Sequence, residues 1–350
     1  MCPSSPGGMA EEDAAPGLAL LRAEMARQSG DALAAFEAVR PDTGKIAARI
    51  RAAGGLALLG MGASHRANRM ALAAYRAAGV TAFAEPLSEA LRQPPPAGCV
   101  SLIASQSGGS GEVAAWFARF GDRADQFGLT LDGGSLLARS VPSLVAPVPK
   151  ERPFAATRSI MVTLALHAAI LGALGHDVSP LLALWRADDK PPAPPAEAVA
   201  ALASCRALYL SSRQPLHAAF EAAALTFMEL GRVPALPLEL GQLLHGPMET
   251  LSPGIALVLA RPAGADGEAV ARVARAAAGL GLTPILFDLS GDMAIAGAVT
   301  VPLPRREGLA AVAALLPAAQ ALVIEAAARR IGEGFGRPLR SAKISDGESP

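Results

Sequence analysis

Aromatic side chains are scarce in this 350-residue chain: 10 Phe, 2 Tyr and 2 Trp, or 4%. Because 51% of the residues are nevertheless apolar, the core must come from Ala, Leu and Val, which suits helices packed closely on a sheet. Net charge is missing too. The 31 Lys and Arg residues balance 31 Asp and Glu, so the whole chain exerts no electrostatic pull on nucleic acid or an anionic membrane. A charged fraction of 18% in so apolar a chain also excludes a disordered polyelectrolyte. Cysteine is sparse: Cys2, Cys99 and Cys205 are odd in number, far apart and without metal-ligand spacing. That excludes a disulfide scaffold, leaves no metal motif and fits a reducing, cytoplasmic setting. Cys2 as an N-terminal nucleophile is a minor alternative, because Pro3 to Gly8 read as a tail. Long hydrophobic runs are also absent. The most apolar stretch, Ile160–Leu174, contains His167 and falls short of the ~20 residues that span a bilayer, so a buried helix is expected there. The opening residues do not read as a signal peptide.

What the chain does have is glycine and proline, 35 and 29, and they punctuate a repeating pattern. A disordered tail is expected over 1–17, followed by one amphipathic helix from Leu18 to Val39 that stops before Pro41. Short apolar runs then alternate with helical segments: strands at Leu56–Leu59, Val80–Ala84, Cys99–Ala104, Phe127–Leu131 and Leu144–Pro147, with helices at Ala67–Ala78 and Val113–Phe120. Lys190–Pro195 holds four prolines and reads as a semi-rigid linker, placed at 190–196. The pattern then restarts. Strands are expected at Ala207–Leu210, Val233–Leu236, Ile255–Ala260 and Pro284–Phe287, and helices at Leu216–Leu230, Leu240–Thr250, Glu268–Gly279 and Leu309–Arg330. The fold class is therefore α/β: two lobes, 18–189 and 197–335, each a parallel sheet covered on both faces. An internal duplication is compatible with this, although no strict repeat is visible.

Four segments carry chemistry. Strand Cys99–Ala104 delivers Ser105-Gln106-Ser107-Gly108-Gly109-Ser110 to a helix N-terminus. Unpaired amides and the helix dipole favour an anion there, and hydroxyls can donate to phosphate oxygens. An ordinary capped helix fits the same residues, and the missing P-loop lysine argues against nucleotide chemistry. Gly60-Met61-Gly62-Ala63-Ser64-His65 follows a neighbouring strand, where open α/β sheets bind ligands. His65 reads as a loop histidine facing solvent or, less readily, as a general base. Glu229 ends an Ala/Leu-rich helix beside Phe227 and Met228, where partial burial would favour a general base, whereas a helix-terminal carboxylate is usually solvated. His245-Gly246-Pro247 reads as a helix interruption. Finally, a C-terminal tail, 336–350, carries the lone Lys343, a residue that is ordinarily a solvated charge.

Taken in order, these segments resemble the SIS (sugar isomerase) family, in particular its double-SIS branch. That branch contains the isomerase domain of glucosamine-6-phosphate synthase and the second class of glucosamine-6-phosphate deaminases. The resemblance covers about residues 20–345. It rests on Glu24-Met25-Ala26-Arg27-Gln28, the Gly62–Ser64 turn and the Ser-Gln-Ser-Gly loop, then on Glu151 with Ala155-Ala156-Thr157-Arg158 and the Leu225–Glu229 helix end. His245-Gly246-Pro247, sixteen residues after Glu229, and the terminal Arg337-Pro338 with Ala342-Lys343 complete it. The resemblance implies a flavodoxin-like sheet in each lobe, no cofactor, no metal, and a homodimer with shared active sites. It implies that Ser105, Gln106, Ser107 and Ser110 hold a sugar phosphate, and that Gly62, Ser64, Ala156 and Thr157 line the sugar. Glu229 would move a proton between C1 and C2, His245 from the neighbouring subunit would open the ring, and Lys343 would lie over the ligand.

Three departures stand out. Thr226 replaces a family lysine, Gln242 replaces a glutamate, and Ser211-Ser212-Arg213 replaces a Gly-Arg-Gly turn. With about 17 residues before the first helix, a glutaminase domain is not expected. The leading expectation is a cytoplasmic enzyme that isomerises a phosphorylated amino sugar and releases ammonia. The alternatives are a ketose–aldose phosphate isomerase or deglycase, and a non-catalytic sugar-phosphate sensor. The expected partner is a small sugar phosphate, with neither nucleic acid nor membrane.

Overall fold

The computed structural model describes residues 14–340. The first lobe runs α1 (Ala14–Ala26), α2 (Gln28–Val39), α3 (Thr43–Ala52), β1 (Gly55–Gly60), α4 (Gly62–Ala77), β2 (Ala82–Pro86), α5 (Leu87–Arg92), β3 (Cys99–Ala104), α6 (Gly111–Phe120), β4 (Gln126–Thr130), α7 (Leu136–Ser140), β5 (Ser143–Val145), α8 (Arg158–Ala173) and α9 (Ser179–Ala187). The second runs α10 (Ala196–Ser204), β6 (Ala207–Ser212), α11 (Leu216–Gly231), β7 (Ala235–Glu239), α12 (Leu240–Leu244), β8 (Ile255–Arg261), α13 (Ala265–Gly279), β9 (Ile285–Asp288), β10 (Val299–Pro302) and α14 (Gly308–Ile331).

Each lobe holds one five-stranded sheet, ordered β2-β1-β3-β4-β5 and β7-β6-β8-β9-β10, with every pair parallel. The two orders are the same flavodoxin-like winding, so the suspected duplication is visible as topology. Central strands are buried on both faces, as β1 is throughout its length. That is why they read as unbroken apolar runs and not as alternations.

The lobes are not beads on a linker. A single apolar core joins α4 and α8 of the first lobe to α11 and α14 of the second. Across the same seam Arg69 of α4 donates to Glu221 of α11 at 2.8 Å and Arg66 lies 3.6 Å from that carboxylate, while His217, one turn back on α11, lies 3.4 Å from it. The segment 190–195 has no regular structure, as its prolines dictate.

Some expectations need correction. The helix over Leu18–Val39 is two helices, parted at Arg27, whose amide turns back to the Glu24 carbonyl at 3.1 Å. α1 begins at Ala14, inside the segment assigned to the tail; the rest of that tail lies outside the described residues. Pro41 does not end the helical region. It sits in a 3-10 turn, Arg40–Asp42, and α3 follows directly, because proline is tolerated in a first helical turn. The Leu240–Thr250 helix breaks after Leu244, with Gly246 at φ +124° and a 3-10 turn at Pro247–Thr250. Ile160–Ala173 lies in α8, which is buried along nearly its whole length, and Leu174 is its C-cap. A long apolar run is not absent, however: among the described residues α14 is the one helix long and apolar enough to cross a membrane, and 78% of its most apolar window is buried inside this fold.

Candidate active site

The Ser105–Ser110 loop stands at the carboxyl edge of the first sheet, next to its switch point between β1 and β3. Gly108 occupies the left-handed region at φ +60°. Its amide donates to Ser105 Oγ at 3.1 Å, and its carbonyl accepts from the Leu137 amide at 2.8 Å. A Cβ there would meet Ser135 Oγ at 2.1 Å. The Gln106 carbonyl accepts from Leu131 N and Thr130 Oγ1, which fixes the loop to the end of β4. Ser110 caps α6, its Oγ accepting from Val113 N at 3.4 Å. The loop is thus rigid in backbone, with Ser107 exposed and Gln106 Nε2 buried without a hydrogen-bond partner. Donors held in this way suit an anion.

Beside it, Gly62 opens α4 at φ +47°, and Ser64 is buried in the first turn, its amide donating to Met61 O at 3.0 Å. His65 does not face solvent from a loop. It lies in α4, half-buried, with a buried and unpartnered Nδ1. Burial first, and then Arg66 and Arg69, depress its pKa to about 4, against the opposing pull of Glu221, so it is neutral at pH 7.

The α8 N-terminus is tied down by Glu151. Its carboxylate accepts from Thr157 N (2.8 Å), Thr157 Oγ1 (2.6 Å), Arg158 N (2.9 Å) and Ser159 N (3.2 Å), and from Ser159 Oγ. Thr157 is completely buried and both its donors are committed to Glu151, so it supports the site from behind, while Ala156 remains partly accessible. Arg158, also fully buried, pairs with Glu24 and with Asp31 (2.8 Å), and donates to Pro149 O at 2.8 Å. Asp132, just beyond β4, pairs with Lys150 at 2.6 Å. These contacts hold the 149–157 loop against the carboxyl edge that bears Ser105–Ser110.

Phe154 of that loop forms one wall of a cleft of about 340 Å³ that contains Glu229. The other walls are Met228, Arg232, Val233 and Pro234, with Pro338, Leu339 and Arg340 of the C-terminal segment. Glu229 is half-buried. Arg232, in the left-handed conformation that ends α11, donates to Gly334 O and Arg337 O at 3.4 and 3.3 Å, which lays the tail beside Glu229. Lys343 lies outside the described residues. Phe154 and Arg232 carry no motif of their own; the one cue to Arg232 was a Gly-Arg pair ending an apolar helix.

His245 is not in this cleft. It is exposed at the end of α12, after β7. α11 must run opposite to the strands it connects, so Glu229 sits at the amino edge of the second sheet and His245 at the carboxyl edge. The five residues of β7 between those edges correspond to roughly 16 Å at ~3.3 Å per residue. One chain therefore cannot bring both groups to one sugar. At the departures, Thr226 is buried with its hydroxyl on Ala222 O at 3.2 Å, Gln242 is exposed, and Arg213 pairs with Glu239 at 2.7 Å. Among the described residues, no group of three or more His, Cys, Asp or Glu is placed to hold a metal ion.

No protein-family model and no curated protein matches the chain. Solved structures do match in fold. The chain is similar to tagatose-6-phosphate ketose/aldose isomerase from Escherichia coli, with 16% identity, a TM-score of 0.78, and coverage of 96% of this chain and 98% of that one. It is similar to the C-terminal domain of glucosamine-fructose-6-phosphate aminotransferase from Francisella tularensis, with 14% identity, a TM-score of 0.76 and coverage of 91% and 98%. It is also similar to glucosamine-6-phosphate deaminase from Thermotoga maritima, with 18% identity, a TM-score of 0.67 and coverage of 93% and 99%. The chain thus shares the two-lobed α/β fold of these proteins over nearly their whole length.

Proposed function

We propose that this chain is a phosphosugar isomerase-type enzyme that acts on a phosphorylated amino sugar and releases ammonia. The observation that carries the reading is the Glu229 carboxylate in a cleft whose opposite wall, the 149–157 loop, is anchored beside the Ser105–Ser110 anion cradle. Solved structures of matching fold include a deaminase and a ketose/aldose isomerase by name, which supports the reaction class.

In this reading the phosphate rests on Ser105, Gln106, Ser107 and Ser110, with Gly62, Ser64 and Ala156 along the sugar. Glu229 abstracts the C2 proton of the open-chain sugar and returns it to C1, passing through an enolamine. That leaves an imine at C2, to which water adds and from which ammonia leaves, so that glucosamine 6-phosphate and water become fructose 6-phosphate and ammonia. His245 of a second copy assists ring opening, which fits its exposure and its separation from Glu229 within one chain. Lys343 would lie over the ligand from the C-terminal tail, whose described end Arg232 holds at Gly334 and Arg337. With Thr226 where a lysine would stand, the site has one cation fewer near the reacting carbons. That favours the second reading, a ketose–aldose phosphate isomerase without ammonia chemistry.

The test is to incubate purified protein with glucosamine 6-phosphate and a panel of sugar phosphates while assaying ammonia and ketose phosphate. Ammonia formation that Glu229→Gln abolishes supports the deaminase. Turnover of neutral sugar phosphates alone favours the second reading. Binding without turnover of any of them would leave a sensor and overturn the enzymatic proposal.

A further inference from the structure

The two lobes share more than strand order. Ala104-Ser105-Gln106-Ser107-Gly108-Gly109-Ser110-Gly111-Glu112 and Ala260-Arg261-Pro262-Ala263-Gly264-Ala265-Asp266-Gly267-Glu268 align without a gap, and Ala, Gly, Gly and Glu coincide. Both segments leave the third strand of their lobe and enter a helix, α6 or α13. Both turn on a left-handed glycine, Gly108 at φ +60° and Gly264 at φ +79°. The second lobe therefore carries a positional copy of the anion cradle in which Ser105, Gln106 and Ser107 have become Arg261, Pro262 and Ala263.

The neighbouring strand has changed with it. Ala104 pairs in register with Leu129, and Ala260 with Phe287, so Thr130 in the first lobe corresponds to Asp288 in the second. Four donors converge on the Asp288 carboxylate: Arg261 Nε at 2.9 Å, Arg261 Nη2 at 2.6 Å, Ser290 N at 2.9 Å and Ser290 Oγ at 2.6 Å. Arg261, Asp288 and Ser290 are all buried. Arg261 is also fixed independently of Asp288, donating to Asp292 O and Met293 O at 3.2 Å. Next to the pair lies a cleft of about 360 Å³, lined by Arg261, Glu268, Arg275 and Asp292 among others. A bidentate guanidinium with a serine amide and hydroxyl is a donor set that also suits phosphate.

We propose that Asp288 is a built-in anion: its carboxylate fills, in the second lobe, the place that the phosphate takes in the first. The chain then binds one phosphate, and the second lobe is a latent anion site that opens when the carboxylate is removed. The count of one rests on the phosphate role proposed for Ser105–Ser110; the latent site does not.

The experiment counts inorganic phosphate by calorimetry and follows melting temperature against phosphate concentration. The unchanged protein should bind about one equivalent per chain, lost in Ser105→Ala/Ser107→Ala. Asp288→Ala should gain an equivalent that survives Ser105→Ala/Ser107→Ala and vanishes with Arg261→Met. A folded Asp288→Ala that gains nothing overturns the inference, as does a second equivalent already present in the unchanged protein. If Asp288→Ala does not fold, Asp288→Asn decides. Its melting deficit should shrink with added phosphate, unless Arg261→Met is also present, and a deficit that phosphate leaves untouched overturns the inference. An unchanged protein that binds no phosphate contradicts the role given to Ser105–Ser110, while the gain in Asp288→Ala is still read separately.

Discussion

Replacing Gly108 by alanine probes the anion cradle most directly, and Gly62→Ala supplies the comparison. Both glycines lie in the left-handed region, at φ +60° and +47°, so either substitution incurs the conformational cost of an L residue there, about 1–2 kcal/mol. They differ in space. A Cβ on Gly62 meets nothing within 4 Å, whereas one on Gly108 would lie 2.1 Å from Ser135 Oγ, 2.5 Å from Ser135 Cβ and 3.0 Å from Thr130 Oγ1. Ser135 cannot swing away freely, because its Oγ caps α7 by accepting from Ala138 N at 3.3 Å. Overpacking of this kind adds about 1–3 kcal/mol, for a total near 2–5 kcal/mol at Gly108. At ~2.1 cal/mol/K of unfolding entropy per residue, a chain of this length should lose roughly 3–7 °C in Gly108→Ala and 1–3 °C in Gly62→Ala. Gly108→Ala should also weaken phosphate binding, because the Ser105–Ser110 backbone has to shift to admit the methyl group. Calorimetric melting and phosphate titration of both variants are the assay. If Gly108→Ala melts with Gly62→Ala and binds phosphate as the unchanged protein does, the steric account of the cradle is wrong.

Other expectations concern the groups around it. Glu229→Gln should lower kcat by about 10²- to 10⁴-fold, the usual scale of general acid–base catalysis, and a variant with near-full activity would contradict the role given to Glu229. Mixing Glu229→Gln with His245→Ala, each inactive alone, should restore about a quarter of the activity if sites are shared across a two-fold dimer; no recovery on mixing counts against shared sites. Arg158→Ala should destabilise by ~3–5 kcal/mol in urea, because Glu24 and Asp31 would lose their buried partner, and an unaltered midpoint would contradict that. His167, enclosed by Tyr75 and Asn68, is driven by burial to a pKa of about 3. Below pH ~6.5 the unfolded chain takes up a proton that the native state refuses, so stability should fall steadily as pH drops from 6.5 toward 3, with His65 contributing down to about 4. His167→Gln should flatten that slope.

How much of this was legible depended on how far apart in sequence the interacting groups lie. β3 was read to the residue because a strand buried on both faces is a plain apolar run between turn signals. The loop after it was read as an anion cradle because its donors are contiguous. β10 was missed: at Val299–Pro302 it is a four-residue edge strand with one partner, too short to stand out from the surrounding Ala, Gly and Pro. α3 is hidden in the sequence because Pro41 reads as a stop, whereas it opens a turn. His65 reads as exposed because whether a helix N-terminus lies open or against another lobe is not a local property.

By itself, the sequence determined the α/β class, the two lobes, the Gly- and Ser-rich turn between β3 and α6, and the resemblance that singled out Glu229 and His245. These follow from short-range periodicity and contiguous motifs. The scarcity of aromatics had already pointed to a core of Ala, Leu and Val with closely packed helices, and the core is built of these. Tertiary structure decided the rest. It fused the lobes through one core and the Arg69–Glu221 pair, and it set Phe154 across from Glu229. It put Glu229 and His245 at opposite edges of one sheet, and it closed Arg261 on Asp288. Each of these joins residues far apart along the chain, and their proximity is fixed only when the strands take their order and the helices pack across them.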